Sequence, residues 1–388
     1  MPLAVLIIAG ENGDSAATDV PAMLPVAGQT LLEYQVRLAR AVGGGHIVVL
    51  VDQLPAAMVA LFDRLRADGI DVDVARDARD AADRIHPDEH VLLFTQGLIV
   101  PRRLLVDLVA RNNPTLLTLA GGNDNAGFER IDAAEHWAGA ALLSGQTLRE
   151  TAAMLGDWSI GSTLMRNALR SGAARWRPEN SKGLVVVANT DQARAASAAL
   201  VQDCDDDDAP FFDRYMLQPL ARLIVPYGLR ATVPVDLVAV LPIILAGAAL
   251  LLALLGWFAT AFALLFLSGL ARAVARLMLS VAVRESGALT VLERIKLPIL
   301  CGCLLVLGWQ GTGPTGDWTG VLLAAWIIAG FLLHRPQVRP ISLLSVPTIE
   351  SSACVLIIAL LFGVPLAGLM VLVVHRFAVD VMRRYFNE

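Results

Sequence analysis

Apolar and polar positions along this chain follow two different rules. From residue 3 to about residue 200, short apolar runs alternate with stretches in which apolar side chains recur every three or four positions. The runs predict strands at Ala4–Ile8, His46–Val51, Asp71–Val74, His90–Phe94, Thr115–Leu119 and Ala138–Leu143. The amphipathic stretches predict helices at Thr30–Val42, Pro55–Ala67, Pro101–Arg111, Gln146–Leu155 and Ile160–Ser171. Strands alternating with helices over short connections imply one α/β domain around a parallel sheet, Rossmann-like in its layering.

Beyond Val233 the apolar runs lengthen to membrane-spanning size, near Val235–Leu255, Phe258–Val281, Val291–Trp309, Thr319–Leu333, Leu343–Phe362 and Val364–Tyr385. Thr319–Leu333 falls short of the ~20 residues a bilayer core requires. Arg and Lys occur before the first run, after the second, after the fourth and after the sixth, and are missing from the connections after the first, third and fifth. That alternation predicts six transmembrane helices with both termini in the cytoplasm. Between the regimes, Cys204–Asp208 (CDDDD) reads as a solvated acidic linker. Pro210–Gly228 (PFFDRYMLQPLARLIVPYG) has the composition of a helix lying in the membrane interface. The expected organisation is therefore a soluble domain over 1–200, a linker and interfacial helix over 201–232, and an all-α six-helix transmembrane domain over 233–388.

Composition sharpens this picture. A mean hydropathy of +0.60 over 388 residues is too apolar for a soluble protein. A formal charge of −5 without a basic-aromatic patch argues against nucleic acid as a partner. Of the four cysteines, Cys301, Cys303 and Cys354 sit in apolar segments and imply packing, not disulfides or zinc. Met1 leads into a strand-like run with neither a basic flank nor a small-residue cleavage pattern, so the soluble domain is expected in the cytoplasm and the whole chain in the inner (plasma) membrane.

Candidate chemistry begins at the first strand. The segment from Leu6 to Gly43 carries Gly10 and Gly13 in a loop, then Leu24-Pro25-Val26, Gly28 and Leu31 to Tyr34. It resembles the opening of sugar-phosphate and molybdopterin-type nucleotidyltransferases, whose glycines admit nucleotide phosphates to the backbone, whose Arg and Lys neutralise triphosphate and whose later Asp binds magnesium. Here Ser15 or its neighbours replace the loop Arg, Pro21 replaces the Lys, Gln96 stands at the first metal carboxylate, and Val187 and Asn189 stand in the closing Asp motif. The resemblance makes Gly10, Gly13, Pro25, Gly28, Gln96 and Asn189 a remnant of a nucleotide site. Phe128-Glu129-Arg130-Ile131-Asp132 with Trp137-Ala138-Gly139 is a possible acceptor wall, Glu129 and Asp132 being its acids.

The second motif is Leu267–Ile295, where charge interrupts apolar sequence, a functional-site hypothesis by default. It is similar to the D-x2-D-G-x2-A-R-x8-G-x3-D-x3-D pattern of CDP-alcohol phosphotransferases. Anchored on Ala275 and Arg276, that pattern falls on Ser268, Ala271, Arg272, Glu285, Leu289 and Glu293. The resemblance implies four Asp carboxylates holding divalent metal against a diphosphate, which Ser268, Ala271 and Leu289 cannot supply. Phe211, Arg214, Tyr215 and Pro219 match the interfacial stretch of fusions that join the two families in this order.

The implied molecule is a fusion degenerate in both halves: no resident metal, Arg272, Arg276 and Arg284 meeting an anionic lipid head group, and a homodimer or a heteromer with an active pathway enzyme. A positively charged helix end against lipid phosphates accounts for the same arginines. The rival is a working transferase with magnesium held by displaced carboxylates: Glu285, Glu293 and Glu350 in the membrane, or Asp14, Asp19 and Asp132 in the soluble domain.

Overall fold

The computed structural model describes residues 3–10, 21–122, 125, 127–154, 158–204, 210–230, 235–310, 316–333 and 348–386. The chain divides into two compact units, Met1–Asp203 with Val281–Arg284, and Cys204–Ser280 with Glu285–Glu388. Gly13, Asp14, Ser15, Asp19 and the linker aspartates Asp205 to Asp208 lie outside the described residues.

In chain order the first unit holds β1 (Leu3–Ile8), a 3₁₀ turn at Pro21–Met23, β2 (Pro25–Val26), β3 (Gln29–Thr30), α1 (Leu31–Ala41), β4 (His46–Leu50), α2 (Ala56–Ala67), β5 (Asp73–Ala75), α3 (Ala78–Arg84), β6 (His90–Phe94), β7 (Leu98–Ile99) and α4 (Arg102–Ala110). It continues with β8 (Thr115–Ala120), β9 (Glu129–Arg130), β10 (Glu135–Ser144), α5 (Gly145–Met154), α6 (Ile160–Arg170), β11 (Ala174–Trp176), β12 (Val185–Val186) and α7 (Thr190–Asp203). The main sheet runs β11-β8-β10-β6-β1-β4-β5, with β9 paired to β10. The wholly parallel sheet expected from sequence is corrected here. β1, β4, β5 and β6 are parallel, but β10 runs antiparallel to both β6 and β8. Among the described residues no α-helix separates β8 from β10, and a parallel pair would need a crossover of a dozen or more residues, usually helical. Leu6, Val48, Leu93, Leu143, Leu148 and Leu164 belong to one buried core beneath the sheet.

The second unit is helical: a π-helical turn at Asp213–Leu217, α8 (Gln218–Arg230), α9 (Val235–Leu254), α10 (Phe258–Val281), α11 (Gly287–Gln310), α12 (Thr319–Leu333), α13 (Ile349–Leu361) and α14 (Pro365–Phe386). Phe262, Leu265, Leu300, Leu304, Leu356 and Leu369 share its apolar core. Two helices are long and apolar enough to cross a membrane, over Leu237–Leu254 and Phe258–Val281. α11 matches α10 in length, but Glu293, Arg294 and Lys296 occupy its first half. The apolar stretches of α12, α13 and α14 are shorter.

Candidate functional site

In the α/β unit a cavity of about 210 Å³ lies where β1 and β6 end, with Thr95, Gln96, Phe128, Glu129, Trp137 and Ser162 among its lining residues. The bulge in β10 between Trp137 and Ala141 contributes Gly139, whose carbonyl accepts from the backbone N–H and the hydroxyl of Thr95 (2.9 and 3.1 Å). Gln96 and Glu129 thus line one cleft. Asp132 does not join them. Its carboxylate accepts from the N–H groups of Ala134 and Glu135 and pairs with Arg175 at 2.6 Å.

The other predicted remnants have structural work. Pro25 and Gly28 belong to a two-residue hairpin between β2 and β3, in which Ala27 and Gly28 both carry positive φ (53° and 79°), the signature of a primed turn. The Ala27 N–H donates to Ser197 Oγ in α7. Asn189 caps α7, its Oδ1 accepting from the Gln192 N–H at 2.9 Å. Gly10 lies just past the end of β1, with no heavy atom of the described residues close to where its Cβ would be. Among the described residues Glu129 is the one carboxylate lining the cleft, and it is engaged by Ser162 Oγ (2.7 Å) and by Arg166 (3.8 Å). One committed carboxylate and an amide do not make the oxygen-rich anionic set that magnesium requires.

The second site is built around Arg272, 4% exposed on α10. Three carboxylates from three other elements converge on its guanidinium: Asp213 from the π-helical turn (2.7 Å to Nη2), Glu350 from α13 (2.9 Å to Nη2) and Glu293 from α11 (3.4 Å to Nη1). Local sequence explains the placement. Thr348 and Ser351 form a reciprocal capping box that starts α13 and sets Glu350 in its first turn. Gly269 leaves room for that carboxylate, since a Cβ there would overlap Glu350 Cγ. Glu293 also contacts Lys296.

The positions of the motif aspartates are otherwise occupied. Ser268, buried, donates to the Pro242 carbonyl of α9 at 2.7 Å, and Leu289 packs against the apolar core. Glu285 is exposed and takes no part in the cluster. Of the alternative ligand set Glu285, Glu293 and Glu350, the last two pair with Arg272. Among the described residues no group of His, Cys, Asp and Glu is arranged to hold a metal ion.

Beside the cluster lies a cavity of about 290 Å³ lined in part by Cys204, Asp213, Arg222, Arg272, Arg276 and Ser280. Arg222 donates to the Cys204 carbonyl at 3.0 Å. Arg272 and Arg276 both line this cavity, while Arg284 falls in the stretch that clusters with the α/β unit and does not line it. Asp213 and Arg222 escaped the sequence reading, which assigned their whole segment to the membrane interface. The available signal was a single Asp between aromatic and aliphatic neighbours, a group rarely buried unless paired.

No family model matches the chain, and no curated relative matches it. Solved structures do match. One is described as a glucose-1-phosphate thymidylyltransferase from Bacillus anthracis in complex with a sucrose; it is 12% identical, with a TM-score of 0.41, over 52% of this chain and 96% of the other.

Proposed function

We propose that the chain is a membrane-embedded, non-catalytic relative of polar head-group transferases, and that its helical unit binds the phosphate of an anionic lipid. The observation that carries this reading is the cavity of the helical unit, lined among the described residues by Arg222, Arg272 and Arg276 together with the carboxylate of Asp213. Arginine forks match phosphate oxygens in charge and geometry. The carboxylates that could have held a metal there are engaged by Arg272.

Support for the membrane comes from the outward faces of the helices. Leu237, Leu241, Ile244, Leu251, Leu322 and Val374 are all exposed, an apolar surface that water would not tolerate at this extent. On this reading α9 to α14 are the six spans, and α8 lies in the interface with Leu223, Ile224 and Tyr227 turned outward. The α/β unit is proposed to keep a nucleotidyltransferase-like scaffold without magnesium-dependent nucleotide chemistry, in a homodimer or beside an active pathway enzyme.

The test is mass spectrometry of lipids co-purifying from native membranes. Arg276→Ala is expected to lower bound anionic lipid several-fold, and added inorganic phosphate to compete only weakly if the acyl chains contribute. Unchanged lipid content, or CMP release from a CDP-alcohol that requires magnesium or manganese, would sink the proposal.

A further inference from the structure

The carboxylates around Arg272 surround a cation that belongs to the chain itself. Asp213 Oδ2 and Glu350 Oε1 both reach the same nitrogen, Nη2, so two buried anionic oxygens already face one point. Asp213, Glu350 and Arg272 are 7%, 5% and 4% exposed. The fit is incomplete on both sides. Asp213 Oδ1 and Arg272 Nε are buried without a hydrogen-bond partner among the described residues. A planar guanidinium offers its donors in fixed directions and leaves that second Asp213 oxygen unused, whereas a hard divalent cation takes six or more oxygens, carboxylates in bidentate mode among them.

We propose that Arg272 is the resident cation of a latent divalent-cation site: its guanidinium fills the seat formed by Asp213, Glu293 and Glu350, and removing it opens that seat to a metal ion. Deleting the guanidinium leaves three carboxylates, the buried Asp213 and Glu350 and the partly exposed Glu293, of which Glu293 keeps Lys296 in contact and Arg276 within electrostatic reach. Like charges at such range repel and the buried pair cannot be resolvated, so the variant either admits protons or recruits a cation. At neutral pH a divalent ion answers the excess charge and takes up the unused oxygen. Asp213 and Arg272 also line the cavity, and the cation response is read without added lipid so that its outcome is separate from that of lipid binding.

The experiment compares full-length wild type, Arg272→Ala and the stem-preserving Arg272→Met in detergent, with unfolding followed against Mn²⁺, Mg²⁺ or Ca²⁺ and Mn²⁺ binding read by electron paramagnetic resonance. The wild type is expected to show no cation dependence. Either variant should gain a saturable rise in Tm, on the order of several degrees, with about one Mn²⁺ bound, and both effects should vanish when Glu350→Gln is added. Folding of either variant only in the presence of a divalent cation supports the proposal equally. It is overturned if both variants stay cation-independent, if both remain unfolded whatever ion is supplied, or if the response survives Glu350→Gln.

Discussion

Asp132 lies three positions beyond Glu129, yet only Glu129 faces the cleft, because Asp132 is held at the turn leading into β10. The Arg175 side chain donates to it at 2.6 Å and the Ala134 N–H at 2.8 Å; together they hold its pKa below the ordinary carboxylate value, against a small opposing effect of burial. Arg175 is shifted up by the same contact. A depressed folded-state pKa means the stabilisation is complete above the unfolded value, near 3.9, and is lost as pH falls through the folded one. The unfolding midpoint of the α/β unit should therefore drop more steeply below about pH 4 in the wild type than in Asp132→Asn; parallel acid profiles, followed by tryptophan fluorescence, would refute this role. Residue identity was legible where charge met apolar sequence, as at Arg272. Its partners were not, because Asp213 and Glu350 lie 59 and 78 positions away, and nothing local in sequence ties them to it.

Elements were easier to read than their directions. The strands beginning at His46 and His90 and the helix beginning at Ile160 follow from periodicity alone. β10 is buried along most of its length, so its apolar run looks the same in either orientation. The decisive feature was the connection from β8, too poor in helix for a parallel crossover. α7 was misread for a different reason: the closing-motif resemblance drew attention to Asn189 as a lost ligand, when its position ahead of Thr190 and three residues before Gln192 marks a helix cap. Asn189→Ala should cost about 1 kcal/mol of local stability and speed amide exchange in the first turn of α7. Exchange in Thr190–Gln192 that matches the wild type would show that the cap carries no weight.

At the scale of the whole molecule, the main stretch of the α/β unit ends at Asp203 and the helical unit begins at Cys204, ahead of the shift of hydropathy near residue 233, and the way the helical unit uses its charges was not legible in that shift. The same shift carries a prediction about the membrane. The connections from α9 to α10, α11 to α12 and α13 to α14 hold no Arg or Lys. They are flanked instead by exposed aromatics: Trp257, then Trp309 and Trp318, whose rings meet edge to face at 5.8 Å, then Phe362. Gly256 lies against the side chain of Gln310, which brings the ends of α9 and α11 to one side of the unit. The intervening segments carry the cations, with Arg284, Arg294 and Lys296 between or early in α10–α11, Arg335 and Arg339 after α12, and Arg383 and Arg384 at the end of α14. Tryptophans favour both bilayer interfaces, whereas Lys and Arg in short loops favour the cytoplasmic side. The aromatic end, without Arg or Lys in its connections, should therefore face outward and both termini inward. Alkaline phosphatase fused after Trp318 should be active in intact bacterial cells, and the same enzyme fused after Glu388 should be inactive. Activity of the Glu388 fusion would place the C-terminus outside and break the six-span assignment, since an odd number of crossings would then separate it from a cytoplasmic α/β unit.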